Sequence, residues 1–442
     1  MRRLIIVSPH FPPVSAADHQ RVRLALPYLL ALGWTIDVVA VHPDDVRSAC
    51  DAFLEETVPA GVRIHRVRGL STLWANVPGL GTLGYRCASA IHACIAGLLK
   101  QSGPANCVIY FSTTQFPVHR IIPALKAKFG VRVVVDYQDL WVNDYYAKNP
   151  SVVPPGGRLK YTLARCLDVH YERKTLAEVD AFTSVSPDYP QTLRARYPFI
   201  ATKPFLVIPF GADERDFMAV RAANISQTRF QPDDGLHHWV YVGRGGPDMA
   251  RALRGFFAAF HRAREIDPKL RKVRMHFLGT DYAPGSAARQ SILPLAVTAG
   301  VADQVQETPQ RLPYSETLRC LLDAAALIVP GSDDPAYTAS KIYPYILARK
   351  PLLAIFHESS SVVSVLRETR AGSCVTFSNF STDAALADEI TRHWFAARQY
   401  AVSPAADWQA FAPYSASTMA GRLSELLASV ATEPSLPDHG TN

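Results

Sequence analysis

Short β-branched runs alternate with helical patterns twice over along this chain of 442 residues, which restricts it to parallel sheets covered by helices. A parallel strand cannot reach its neighbour through a tight turn and needs a crossover of about a dozen residues, which a helix supplies. The first series opens with a strand at Leu4–Val7. The loop Ser8–Asp18 follows, then a helix from about His19 to Leu32 stopped by Gly33, and a strand over Thr35–Val41. Further strands are predicted at Val62–Val67, Cys107–Phe111, Arg132–Asp136, Ala181–Ser184 and Phe205–Ile208. After the polar stretch Ala222–His238 a second series runs through Trp239–Val242, Met275–Leu278, Gln304–Glu307, Leu327–Val329, Leu352–Phe356 and Cys374–Phe377. Its helices are predicted near Asp248–Arg264, Ser315–Ala324, Ser340–Leu347 and Ser361–Arg367. The fold class is therefore α/β, with two doubly wound Rossmann-like domains, 1–221 and 239–414, joined by a linker over 222–238. A last helix over 415–428 is expected to pack back on the first domain, and 431–442 reads as a tail. Ligands in such sheets bind beyond the carboxyl ends of the strands, so two domains facing a central cleft place the site there.

Composition narrows the function. The seven cysteines are scattered and never form a Cys-x-x-Cys pair, which suggests neither a disulfide framework nor a zinc site and fits a reducing cytoplasm. No pair of histidines and acids has metal-ligand spacing, so no metal and no cofactor are expected. No uncharged apolar run reaches the roughly 20 residues of a spanning helix, and the start lacks a signal-peptide layout. The expected location is cytoplasmic, with the inner face of the cell membrane as an alternative. A net charge of +7 favours anionic partners. Basic residues are interspersed with acids and no RNA- or DNA-binding signature occurs, so nucleic acid is not among them. The segment Leu70–Arg86, with Leu73, Trp74, Val77, Leu80, Leu83 and Tyr85, continues to Ile91, Ile95, Leu98 and Leu99. It reads equally as a bilayer-facing surface or as a helix packed on the sheet.

Thr338-Ala-Ser-Lys-Ile-Tyr-Pro-Tyr follows the apolar run Ala326–Pro330 and the acidic loop Gly331–Pro335, so it reads as strand, loop and helix start. Ser340 is placed to cap that helix, and its free N–H groups with Lys341 suit an anion such as a diphosphate. Tyr241-Val-Gly-Arg-Gly-Gly-Pro247 follows a strand but is not a Gly-x-Gly-x-x-Gly fingerprint, and no Walker lysine motif occurs. Dehydrogenases and P-loop phosphotransferases are thereby disfavoured.

Five segments, Ile6-Val-Ser-Pro-His-Phe-Pro-Pro13, Val135-Asp-Tyr-Gln-Asp-Leu-Trp141, Ile208-Pro-Phe-Gly-Ala-Asp213, the Tyr241–Pro247 loop and Ser340-Lys341 with Tyr345 and Pro351, together resemble the GT-B glycosyltransferases. The likeness runs through nearly the whole chain and is specifically to the family 4 group that builds bacterial polysaccharides and glycolipids. It implies transfer of a sugar, with retention of configuration, from a nucleotide-diphosphate-sugar donor to a saccharide or polyprenyl-linked saccharide acceptor, with peripheral membrane contact. The resemblance implies donor contacts from Gly243, Arg244, Gly245, Arg251, Thr280, Glu307, Asp333, Asp334, Ser340 and Lys341. It implies acceptor or sugar contacts from His10, Asp18, Arg21, Tyr137, Gln138 and Trp141, and catalytic roles for Asp139, Asp18, Arg244 and Lys341. The chain departs from the family pattern at Ser15-Ala-Ala17, where a glycine pair is usual, at Gln138 in place of an arginine, and at Pro344 in place of a ribose-binding glutamate. Two alternatives share the architecture: a sugar-nucleotide 2-epimerase, and a non-catalytic nucleotide-sugar-binding homologue acting as a scaffold.

Overall fold

A computed structural model describes residues 2–77, 81–142, 144, 154, 157–281, 283, 287–335, 337 and 339–432. The chain divides into two compact units, Met1–Phe210 with Ala416–Asn442, and Gly211–Ser415. The first holds a seven-stranded sheet in the order β3-β2-β1-β4-β5-β6-β7. Its strands are β1 (Arg2–Val7), β2 (Trp34–Val41), β3 (Arg63–Val67), β4 (Cys107–Ser112), β5 (Arg132–Tyr137), β6 (Ala181–Ser184) and β7 (Phe205–Val207). Every neighbouring pair is parallel, so all carboxyl ends leave one edge of the sheet.

Because side chains alternate across a strand, each strand divides its apolar residues between two cores. Ile5, Val7, Val39, Ile109, Phe111, Val133 and Val135 enter one. Leu4, Ile6, Val38, Val108, Tyr110 and Val134 enter the other. The helix Gln20–Ala31 covers the second face with Val22, Leu26 and Leu29, beside Met419, Ala420, Leu423 and Leu427 of the last described helix, Ala416–Thr432. Trp34 Nε1 donates to Ser424 Oγ at 2.8 Å across that contact. The helix Leu83–Ser102 buries Leu83, Ile91, Ile95, Leu98 and Leu99 in the first core, so this part of the suspected bilayer surface is a packed helix. Leu70, Leu73, Trp74 and Val77 stay exposed, and Leu80 lies outside the described residues. Among the described residues no helix is long and apolar enough to cross a membrane.

The second unit repeats the plan with six parallel strands in the order β10-β9-β8-β11-β12-β13. They are β8 (His237–Val242), β9 (Val273–Leu278), β10 (Val305–Thr308), β11 (Ala326–Pro330), β12 (Leu352–His357) and β13 (Ser373–Phe377). Trp239 anchors its core among Phe256, Phe260, Trp394 and Phe395. The helix Glu214–Ala222 and the polar stretch after it belong to this unit. Tyr314 donates to Asp216 at 2.7 Å, and Arg229 binds Glu316 at 2.7 Å, which ties both to the helix Tyr314–Asp323. In each sheet the strand order reverses beside the first strand, next to β4 in one unit and β11 in the other, which is where doubly wound sheets open a crevice.

Candidate functional site

In the first unit the loop after β1 turns back on itself through one carboxylate. His10 Nδ1 lies 2.9 Å from Asp18 Oδ1, while Asp18 Oδ2 accepts from Thr113 Oγ1 at 2.9 Å and from Thr114 N at 3.3 Å. Burial by itself would raise the Asp18 pKa, but the bonds from His10 and Thr113 hold it below the ordinary value, so the buried group is ionised. Beneath it Asp136, wholly buried, accepts from Ser112 Oγ at 2.9 Å, Thr183 Oγ1 at 2.7 Å and Gln138 Nε2 at 3.0 Å, and lies 2.8 Å from Arg21 Nε. Gln138 Nε2 also donates to the Asp18 carbonyl at 2.8 Å, which joins the two clusters.

Several residues expected to meet a sugar do other work. Arg21 is enclosed: besides Asp136 it donates to the Ile208 carbonyl at 2.6 Å and lies over the Phe210 ring. Tyr137 points into the core because it follows the inward positions of β5, and its hydroxyl donates to Glu172 at 3.3 Å. Trp141 stacks on Phe116 with ring centres 5.9 Å apart, and its indole N–H donates to Asp168 at 3.0 Å. His119 stands edge-on between Phe111 and Trp141, and burial pushes its pKa down to about 3, which makes it a neutral core residue. Asp139, by contrast, is exposed at the end of β5, and partial burial of its carboxylate raises the pKa from the ordinary value.

In the second unit cations gather beyond β8. Lys341 Nζ donates to Tyr241 Oη at 2.6 Å, and that hydroxyl donates to the Arg244 carbonyl at 2.7 Å. Burial first, and then the charges of Arg244 and Arg311, push the Lys341 pKa down to about 7, against the opposing pull of Asp248. Gly243 is what admits the lysine: a Cβ there would lie 2.4 Å from Nζ, and its φ of +155° disfavours any side chain. Arg244 grips Asp248 with two bonds of 2.9 and 2.6 Å, and the guanidinium hydrogen bonds outweigh burial in lowering the Asp248 pKa.

Of the other expected donor contacts, Arg251, Thr280, Glu307 and Gly245 have partners within the protein. The Ser340 side chain caps nothing, because the helix starts at Ile342, after Lys341, and runs only to Leu347. Arg251 donates to the Ser381 carbonyl. Thr280 donates to Glu307 at 2.6 Å, and the Glu307 carboxylate accepts from the N–H groups of Ser291, Ile292 and Leu293 at 3.0, 2.9 and 2.7 Å, so it braces a loop. Gly245 donates its N–H to the Thr280 carbonyl at 2.7 Å. Asp333 and Asp334 are exposed on the loop after β11, and Asp333 N donates to the Asp248 carbonyl at 2.8 Å. Sequence reasoning missed Tyr241, Asp248 and Arg311 as a group. Asp248 carried one signal, its placement four residues after Arg244.

No family model matches the sequence, and no curated protein does. Solved structures do. HepE of Anabaena, in complex with UDP and glucose, is 13% identical, with 97% of this chain and 100% of that chain covered and a TM-score of 0.59. A UDP-forming trehalose-phosphate synthase from Burkholderia xenovorans is 13% identical, with 98% and 100% covered and a TM-score of 0.58. WaaG, a glycosyltransferase involved in lipopolysaccharide biosynthesis, is 14% identical, with 98% and 100% covered and a TM-score of 0.53. The chain thus has the two-domain GT-B fold of these glycosyltransferases.

Proposed function

We propose that the protein is a glycosyltransferase of the family 4 type that uses a nucleotide-diphosphate sugar, with UDP as the first candidate leaving group. The observation that carries this reading is the cationic cluster of Lys341, Arg244 and Arg311 at the carboxyl ends of the second sheet, within a fold whose solved examples include a UDP complex and a UDP-forming enzyme. Lys341 and Arg244 neutralise charge developing on the departing diphosphate. Gly243 leaves the room in which the Lys341 ammonium sits, and so keeps that charge in place. Asp139, an exposed carboxylate at the end of β5, binds acceptor or sugar hydroxyls, and Asp18 contributes by holding the His10 ring. Since the cations come from side chains, this reading requires no divalent metal, and chelation with EDTA is expected to leave activity unchanged; its loss would contradict the reading.

A thermal-shift panel of UDP, GDP, ADP and their sugar conjugates tests the donor assignment. One nucleotide series is expected to raise the melting point, by the equivalent of about 2.7 kcal/mol at a hundredfold excess over Kd. No shift with any of them would sink the reading. Release of nucleoside diphosphate that requires an added saccharide separates transfer from epimerisation. The acceptor is a lipid-linked saccharide in surface glycan assembly, reached through exposed Leu73 and Trp74 at the inner membrane face. Flotation with phosphatidylglycerol vesicles is expected to carry the wild type and to lose a Leu73→Glu, Trp74→Glu variant; equal flotation of the two removes this surface from consideration.

A further inference from the structure

The helix Arg158–Glu178 of the first unit turns an apolar stripe towards solvent. Leu159, Leu163 and Leu167 are 77, 61 and 53% exposed. Residues four apart drift by about 40° around an α-helix, so the three leucines form one stripe about 80° wide. Lys160, Arg173 and Lys174 are exposed around it, and among the described residues none of the three pairs with a carboxylate. The acids of the same stretch point the other way. Asp168 accepts from the Trp141 indole at 3.0 Å, and Glu172, wholly buried, accepts from Tyr197 Oη at 2.8 Å. From Arg158 to Thr175 these are the only acids, so the outward face joins leucine to uncompensated positive charge. Single exposed leucines are ordinary on a protein surface, whereas three in line within a cationic border mark a binding face.

This helix lies on the same side of the sheet as the exposed Leu73 and Trp74. The helix Leu83–Ser102, which follows those two residues, enters the same core through Leu83 and Ile91 that the helix Arg158–Glu178 enters through Leu176. The turn Phe116–Ile121 touches both helices: Arg120 covers the Tyr85 ring, and Thr175 donates to the His119 carbonyl at 3.4 Å. We infer that the helix Arg158–Glu178 lies flat on an anionic bilayer, with Leu159, Leu163 and Leu167 in the acyl boundary and Lys160, Arg173 and Lys174 at the lipid phosphates. Long basic side chains reach from an apolar stripe to headgroups, and the negative surface potential of acidic lipids draws them there. A second copy of the chain fits this face less well, because it would bring the same cations against one another. The inference rests on the membrane contact proposed above, and adds the element that inserts and the headgroup charge that it selects.

The test floats the full chain with vesicles of phosphatidylcholine, alone or mixed with phosphatidylglycerol. Binding is expected to be about tenfold or more stronger on the anionic vesicles and to weaken as salt is added. The variants Leu159→Glu, Leu163→Glu and Lys160→Gln, Arg173→Gln, Lys174→Gln should each lower partitioning by about tenfold or more. All five positions are exposed, so the melting point and its shift by UDP should match the wild type in both variants. Leu32→Glu is the control: Leu32 is 51% exposed just after the helix that covers the opposite face of the sheet, and this variant should float as the wild type does. Wild-type flotation of either helix variant overturns the inference. So does equal binding to the two lipids, an equal loss in Leu32→Glu, or a loss confined to Leu73→Glu, Trp74→Glu. A wild-type dimer that fails to float and that Leu159→Glu, Leu163→Glu dissociates on size exclusion would give the face to a second copy and overturn it too. A wild type that floats with neither lipid sinks the proposed membrane contact as well, while the nucleotide panel still judges the transferase reading by itself.

Discussion

Replacing Lys341 with methionine is expected to weaken nucleoside diphosphate binding and lower kcat together, by about a hundredfold or more in kcat/KM. Removal of one preorganised charge donor from a developing oxyanion costs about 10²–10³ in other enzymes, and Tyr241 and the missing Cβ of Gly243 hold Lys341 in one place, as the proposed role requires. Arg244→Ala should act in the same direction but less steeply, since part of its charge is already satisfied by Asp248. The lysine also makes a pH prediction whose sign is definite. Burial and the charges of Arg244 and Arg311 push its pKa down to about 7, well below the ordinary 10.5, so above neutrality the amine is largely uncharged until an anion is bound beside it. Binding then restores the proton, and affinity should fall as pH rises from 7 towards 9 in the wild type. Isothermal titration of UDP across that range, in two buffers of different ionisation enthalpy, measures both the slope and the proton uptake. A wild-type slope no different from that of Lys341→Met would contradict the assignment. Gly243→Ala provides a geometric control, expected to reproduce the loss of affinity while leaving the charge count unchanged.

The second large effect is on stability. Arg21→Met should destabilise the first unit by about 3–5 kcal/mol, the usual result of removing one partner of a buried ion pair, because Asp136 has no access to water. The remaining bonds from Ser112, Thr183 and Gln138 do not supply a positive charge. The double variant Arg21→Met, Asp136→Leu should recover a large part of the loss, since no unpaired charge would then remain. Urea denaturation followed by circular dichroism measures both. Additive losses would show that the two residues act independently and that the central polar cluster is not a unit.

In the sequence reading Asp136 only ended a strand and Arg21 was expected at the acceptor, so neither the burial nor the pairing of the two was foreseen. An aspartate inside Val133-Val-Val-Asp-Tyr137, and an arginine on a helix whose other residues are largely apolar, each imply a buried partner. That they choose each other depends on the register of β4 with β5 and on how the helix Gln20–Ala31 lies on the sheet, and neither can be read locally. The strands were legible because apolar runs buried on both faces admit few other structures. Motif likeness misled where it ignored that alternation: Tyr137 and Trp141 sit beside a site-like sequence, yet the pleat turns Tyr137 into the core and Trp141 stacks behind it. Glu307 misled for a different reason. A carboxylate at a strand end suits a ligand, but here three backbone N–H groups of a neighbouring loop reach it first. Lys341 was recognised as a cation, and only the fold showed that a tyrosine from β8 would aim it.

The first unit is built from two separated stretches of chain, with the whole of 211–415 inserted between them. Met419, Ala420, Leu423 and Leu427 belong to the core that also holds Leu4 and Ile6, so the earliest strand waits for almost the last helix. During synthesis on the ribosome the inserted unit emerges entire, with its ends already joined through the bridge of Ala212 to Ser415, before its host can close. A nascent chain halted near residue 415 would therefore carry a finished second unit on an open, aggregation-prone partner. Loss of the final turns of the protein would be felt first at its amino terminus.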